Sequence, residues 1–358
     1  MSVRRPGPLA GTLLVAAALV ALPFALTAVG TTWVRITNLA MLFIVLSLGL
    51  NIVVGFAGLL DLGYIAFFAV GAYAYALLSS PHFGLHWPFW ATLPIGALVA
   101  AVFGVLLGAP TLKLRGDYLA IVTLGFGEIV RIFLNNLGSP VNITNGPRGI
   151  ARIDPLRIGG VDFGQAQTFL SIPFSGPVKY YYALLMVLLA VIFMNLRLQN
   201  SRIGRAWEAV REDEVAARAM GIDTTRIKLL AFAMGASFGG VSGGRFAAIQ
   251  GFVSPESFVL VESVMVLSMV VLGGMGNIGG VILGAVLLSF IPEILRFTVE
   301  PLQQQLFGRM LVDPEVIRML LFGFALVLVM ILRPGGLWPS AVRRRELSAR
   351  PAVPGVGP

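Results

Sequence analysis

The residues in this chain that could do acid–base, nucleophilic or metal chemistry are few and stand apart. Its 358 residues include no cysteine and two histidines, His82 and His86. That excludes thiol nucleophiles, disulfide frameworks, cysteine-ligated zinc and iron–sulfur clusters. The histidines share one short loop with no carboxylate beside them in sequence to complete a ligand set, so they read as a solvated or headgroup-level turn rather than a metal pair. Glu128 and Arg131 are spaced i, i+3, as are Glu293 and Arg296, which lets each pair share a helix face. They read as structural ion pairs, a proton relay being the alternative. Asp61 and Asp117 fall at the ends of apolar runs, where solvation or helix capping suffices. Asn51 and Glu262 lie deeper and are candidates for a bundle interior. The lysines, Lys113, Lys179 and Lys228, have no glycine-rich phosphate-loop context. No catalytic constellation and no metal site emerges.

The elements that must position these residues follow from composition. Apolar residues make up 57% and charged residues 12%, against roughly a quarter charged in a soluble domain. The chain therefore belongs in a membrane, with lipid around it. The formal charge of +9 does not point to nucleic acid, because the basic residues are scattered between apolar runs rather than gathered on one face. A hydrocarbon core of about 30 Å takes about 20 apolar residues as helix, since lipid offers no partner to an unpaired backbone group. That length predicts spans at Leu9–Val29, Ile36–Leu60, Leu62–Ser80, Pro88–Leu112, Tyr118–Leu137, Tyr180–Leu196 and Leu229–Ile249. The uncharged stretch Ser263–Pro292 is too long for one helix, and its glycines at 273, 274, 276, 279 and 280 divide it into spans over 257–275 and 279–298. Met319–Leu332, reaching back to Val316, closes the set. The expected fold class is an all-α polytopic membrane protein with about ten transmembrane helices, nine or eight if a glycine-rich segment only re-enters. The first run follows Arg4 and Arg5 but exceeds the roughly 7–15 residues of a secretory core, and reads as an uncleaved span.

Basic residues near span ends stay on the cytoplasmic side. Placing the N-terminus inside collects Arg4, Arg5, Lys113, Arg115, the basic residues from Arg197 to Lys228, Arg333, Arg343, Arg344, Arg345 and Arg350 on that face. Outer loops then hold Arg35, Arg148, Arg152, Arg157, Lys179 and Arg309. Both termini are expected to be cytoplasmic: a tail over 1–8, a membrane domain over 9–339 and a disordered tail over 340–358. Within the domain, residues 197–228 form a cytoplasmic segment and residues 138–179 an extracytoplasmic loop. Trp87, Phe89, Trp90 and Tyr180–Tyr182 at outer ends and Trp338 at the inner edge agree. The outer loop, with Asn145-Gly146-Pro147-Arg148-Gly149, suits a turn-rich docking lid or a solvated connector.

The cytoplasmic segment is the informative exception to an apolar chain. Ile203, Ala206, Trp207 and Val210 fall at i, i+3, i+4 and i+7 and give one helix an apolar stripe. A second short helix begins near Asp213, presents Val215, Ala216, Ala219 and Met220 on one side, and ends at Gly221, which suits a left-handed C′ position. Asp223 or Thr224 can cap the following span. Such helices pack on the protein's own inner face or receive a partner.

Val215-Ala216-Ala217, three residues, then Gly221 resembles the motif by which permeases of ATP-binding-cassette importers grip their ATPases, although the usual first glutamate is one place early, at Glu214. The run from Ser201 to Glu214 resembles the cytoplasmic signature of branched-chain amino acid importer permeases. So do Gly49–Gly55 running into Gly58–Tyr64, Leu114–Ala120, Gly251–Phe258, Val271–Gly276 and Arg333–Trp338. The chain is identified on these segments as a member of that family, similar to the larger of its two permease subunits. The resemblance implies a second, homologous permease, two cytoplasmic ATPases and an extracytoplasmic substrate-binding protein, in a bacterial plasma membrane. It implies no cofactor on this chain, ATP and Mg²⁺ being held by the ATPases. The function implied is import of branched-chain or related small apolar amino acids. Permeases for urea, amides or other small solutes in the same superfamily, and an ion-driven secondary transporter, are the alternatives.

On that reading Trp207, Val210, Glu214, Ala217 and Gly221 form the docking surface, with Arg202 and Arg205 on its flank. Small residues allow close approach and Trp207 supplies apolar area. Gly55, Gly58 and Gly63, and the second cluster Gly273, Gly274 and Gly276, either line or hinge the pathway, together with Asn51 and Glu262, or only permit tight helix packing.

Overall fold

Each expected apolar run is helical in the computed structural model, which describes residues 8–339 apart from 113, 115, 140, 159, 160, 165, 166, 170, 171, 308–313 and 334. The expected tails, with Arg4, Arg5 and Arg343–Arg345, lie outside the described residues, as do Lys113, Arg115 and Arg309. In chain order the helices are α1 (Pro8–Val29), α2 (Thr31–Leu50), α3 (Ile65–Leu78), α4 (Phe89–Thr111), α5 (Asp117–Asn136) and α6 (Gly176–Gln199). The polar segment over 197–228 supplies α7 (Arg202–Glu212) and α8 (Glu214–Ala219). Then come α9 (Thr224–Gln250), α10 (Leu260–Gly273), α11 (Ile278–Phe307) and α12 (Pro314–Leu332). Among the described residues six helical segments are long and apolar enough to cross a membrane, with two shorter apolar helices beside them.

The architecture departs from the sequence expectation at three places. Span two does not reach residue 60: α2 ends in a π-helical turn, Asn51–Phe56, and residues 57–64 are not helical before α3 begins. The eighth span starts later than expected, because Pro255–Ser257 forms a separate 3-10 turn ahead of the 14-residue α10. Nor is the chain wholly α. Two short ladders lie in the loop between α5 and α6, β2 (Arg157–Ile158) with β3 (Val161–Asp162) and β4 (Gln167–Phe169) with β5 (Ile172–Phe174). A third pairs β1 (Ile150–Ala151) with β6 (Phe252–Val253), tying the loop to the α9–α10 connection. Backbone that leaves helical geometry here finds its hydrogen bonds across strands, as buried amides must.

The core is α9 packed against α3 and α4, with α2 behind. The three helices meet through glycines. A Cβ at Gly71 would stand 2.3 Å from the backbone of Gly240, and one at Gly243 would stand 2.0 Å from the Phe68 carbonyl. Without Cβ atoms the backbones come close enough to gain dispersion contacts that lipid cannot supply between separated helices.

Candidate functional site

The polar segment over 197–228 is built from three aspartate and serine caps. Ser201 Oγ accepts from Gly204 N at 3.1 Å and starts α7. Asp213 ends α7 and caps α8, its Oδ1 accepting from Val215 N at 2.8 Å and Ala216 N at 3.0 Å. Asp223 caps α9 through Arg226 N at 3.1 Å. Between the last two, α8 closes as the spacing predicts. Gly221 has φ +86°, its N–H donates to Arg218 O, and Ile222 N donates to Ala217 O, the bond pair of a Schellman closure. Each cap satisfies donors or acceptors that a helix end leaves open, so two short helices hold their shape on a solvated face.

The structure divides the expected docking residues into inward and outward sets. Trp207 is fully buried, and its Nε1 donates to Ile227 O of α9 at 2.8 Å. Val210 and Ala217 are buried as well. These three hold α7 and α8 against the membrane helices, so the apolar stripe found by periodicity packs on the chain itself. Glu214 is also a clasp, its carboxylate meeting Arg218 at 3.1 Å and the buried Lys228 of α9 at 2.8 Å. Arg202, Arg205 and Gly221 remain exposed. The outward apolar face belongs instead to α8, where Val215 is 68% and Met220 83% exposed, beside Ala216 and Ala219.

The glycine clusters and Asn51 converge on one junction beneath α7. In a π-helical turn the hydrogen-bond ladder slips: Ala57 N donates to Ile52 O, and Leu59 N reaches back to Val53 O. The carbonyl of Gly55 is thereby left without its helical donor, and the Arg211 guanidinium of α7 takes it. Gly58, at φ +69°, lies under the same side chain; a Cβ there would stand 2.7 Å from Arg211 Cγ. From the other side Asn51, fully buried, accepts from Gly276 N at 2.8 Å through Oδ1. A Cβ at Gly55 would collide with that amide and with Asn51. Gly273 packs against Gly280, and Gly274 against the Trp338 carbonyl. Leu337 N and Trp338 N donate to Leu272 O and Gly273 O. Gly63 packs on the Thr123 carbonyl of α5. The two clusters are thus one set of close backbone contacts. Arg211 was missed by the sequence reading; its signal is a cation directly after the inward-facing Val210.

Other charged residues settle into pairs. Arg131 binds the Glu128 carboxylate through Nε at 3.0 and 3.1 Å, and Glu256 of the α9–α10 connection through NH1 at 3.2 Å. His86 pairs with Asp154, and His82 lies 3.2 Å from the Asn142 carbonyl. Among the described residues no group of three or more potential metal ligands forms. Asp61 is fully buried, and its Oδ1 accepts from Gly63 N at 2.9 Å. Glu262 is half-buried in the first turn of α10. Arg245 of α9 is fully buried and donates to Leu184 O at 3.3 Å. A cavity of about 620 Å³ opens between α2, α6, α9 and α11, with Arg35, Asn38, Tyr180, Glu293 and Arg296 on its walls.

Residues 32–330 match the family described as branched-chain amino acid transport system / permease component. The chain is 46% identical over 329 residues to the high-affinity branched-chain amino acid transport system permease protein LivM of Salmonella typhimurium, covering 88% of this chain and 72% of that one. It is 47% identical to the LivM protein of Escherichia coli K12, covering 86% and 70%. It is also 25% identical to the LivH permease protein of the same system in that organism, over 70% of this chain and 81% of that one. No solved structure matches the chain. The apolar helices make it a multi-pass membrane protein, and it belongs to the family of branched-chain amino acid transport permeases.

Proposed function

We propose that this chain is one of two homologous permease subunits of an ATP-driven importer for branched-chain or related small apolar amino acids. Both termini face the cytoplasm of a bacterial cell. ATPase subunits holding ATP and Mg²⁺ dock on the cytoplasmic segment, and a substrate-binding protein delivers from outside. Similarity to both LivM and LivH, two permease proteins of one transport system, supports the paired arrangement.

The observation that carries the coupling role is the outward face of α8. Val215 and Met220 stand exposed on a helix whose inner side is clamped by Ala217 and by the Glu214–Lys228 contact. An exposed apolar surface on a rigid support suits a partner groove. Force applied there reaches α9 through Trp207 and the end of α2 through Arg211.

The test is reconstitution of the complete importer in proteoliposomes with leucine uptake and ATP hydrolysis measured together. Leucine accumulation that needs ATP, together with ATPase subunits that co-purify with the wild type and not with a Val215→Glu, Met220→Glu double variant, is the expected result. ATPase retention by that variant would remove the docking assignment, and uptake driven by an ion gradient alone would replace the mechanism.

A further inference from the structure

In the second half of α5, charged side chains form a partly exposed cluster. Glu128 and Arg131 are 41% and 24% exposed, and Glu256, which reaches them from the α9–α10 connection, is 61% exposed. The exposed neighbours on α5, Ile121, Ile129, Ile132 and Phe133, are apolar. Charged groups set among apolar side chains of a membrane protein are costly against lipid and are kept where protein or water meets them.

A cavity of about 150 Å³ lies beside this triad. Its walls are Leu62, Ile65, Leu124, Gly127, Phe258 and Leu260, and Glu128 is the ionisable residue on its lining. It sits where two interruptions of the helical chain meet, residues 57–64 before α3 and residues 251–259 before α10. Irregular backbone in a membrane protein is tolerated where protein buries it or where it lines a cavity, and in transporters such breaks border the substrate.

The chemistry of the place is specific. An apolar cavity of about 150 Å³ takes a group as large as benzene, and so takes the isobutyl or sec-butyl side chain of a branched amino acid. The triad has two carboxylates against one guanidinium, so it carries an excess negative charge that an ammonium complements. We propose that this cavity holds the transported amino acid within the membrane. Its aliphatic side chain lies between Leu62, Leu124 and Phe258, its α-ammonium rests against Glu128 and Glu256, and its α-carboxylate is received by Arg131. The inference rests on the substrate class given under Proposed function and adds the residues that meet it.

The experiment uses the complete importer in proteoliposomes with photoleucine, the diazirine analogue of leucine, as probe. After irradiation the labelled peptides are mapped by mass spectrometry, with and without excess leucine. Labels confined to residues 62–65, 124–128 and 258–260, and competed by leucine, are the expected result. Labels elsewhere in the permease pair overturn the site while leaving the substrate class intact. An importer that neither accumulates leucine nor takes any label overturns the substrate class itself. Leu124→Trp, which fills the cavity, is expected to lower both labelling and leucine uptake about tenfold or more, a loss of about 1.4 kcal/mol or more of binding. ATP hydrolysis reports its assembly, and Glu128→Asp is expected to recover more uptake than Glu128→Gln. Undiminished labelling in Leu124→Trp also overturns the site; if that variant fails to assemble, the wild-type label map decides.

Discussion

The guanidinium of Arg211 donates to the carbonyl oxygen of Gly55, joining the amphipathic helix α7 to the π-helical end of α2. This bond exists because two separate features meet: a ladder that slips one residue and frees an acceptor, and a cation on the face of α7 next to its packing stripe. Asn51, in the same turn, holds Gly276 from the opposite side. A shift of α7 therefore acts at once on α2 and on the α10–α11 turn.

Arg211→Met keeps the aliphatic stem over Gly58 and removes the donor. A hydrogen bond from a charged donor contributes about 1.5–3 kcal/mol, and its loss is expected to lower leucine transported per ATP hydrolysed several-fold in proteoliposomes. Arg211→Lys, which can still reach the carbonyl, is expected to recover part of it. Unchanged stoichiometry in Arg211→Met would sink this route.

Trp207 separates a structural role from a contact with the ATPase. Trp207→Phe keeps most of the buried ring and loses the bond to Ile227, which costs about 1 kcal/mol; Trp207→Ala leaves a cavity that costs about 3–5 kcal/mol. Thermal unfolding of the purified permease pair without ATPases is the check. Equal melting of wild type and Trp207→Ala would return the residue to the docking surface.

At Gly221 the surroundings are open but the backbone is left-handed. Gly221→Ala should therefore cost only the roughly 1–2 kcal/mol of that conformation, visible as a small fall in melting temperature with coupling retained. Gly221→Arg places a long cation beside Met220 and is expected to uncouple hydrolysis from uptake in an inserted protein. Normal coupled uptake by Gly221→Arg would take the residue out of the docking surface.

Asn51→Leu deprives the buried Gly276 amide of its acceptor. An unsatisfied buried donor costs about 1–3 kcal/mol, so amide hydrogen exchange of the 274–277 turn should quicken while the contact between α4 and α9 stays protected. Slow exchange at Gly276 in the variant would show that another acceptor holds the turn.

Much of the fold was legible because lipid imposes a length rule. The runs read as spans from Leu9, Pro88, Tyr118 and Leu229 became α1, α4, α5 and α9 with ends displaced by a few residues. The breaks were less legible. Gly55, Gly58 and Gly63 marked the place where α2 gives way to α3, but a glycine pattern alone does not distinguish a tight crossing from a π-turn. In the segment over 197–228 the helix boundaries and the Gly221 closure were readable, since caps and left-handed stops are local. Which face was free was not, because Trp207 and Met220 lie on faces whose partners come from elsewhere in the chain.

The sequence alone determined what depends on near neighbours and on solvent: a membrane chain from its scarcity of charge, the helical runs from their length, the caps at Ser201, Asp213 and Asp223, and the family from its motifs. Tertiary structure decided what depends on approach between distant segments. It turned Trp207 inward onto Ile227, left Val215 and Met220 outward, joined Arg211 to Gly55 and Asn51 to Gly276, and brought Glu256 to the Glu128–Arg131 pair. These contacts span tens to hundreds of residues of chain, so no periodicity encodes them. Only the packing of helices whose glycines let their backbones meet makes them.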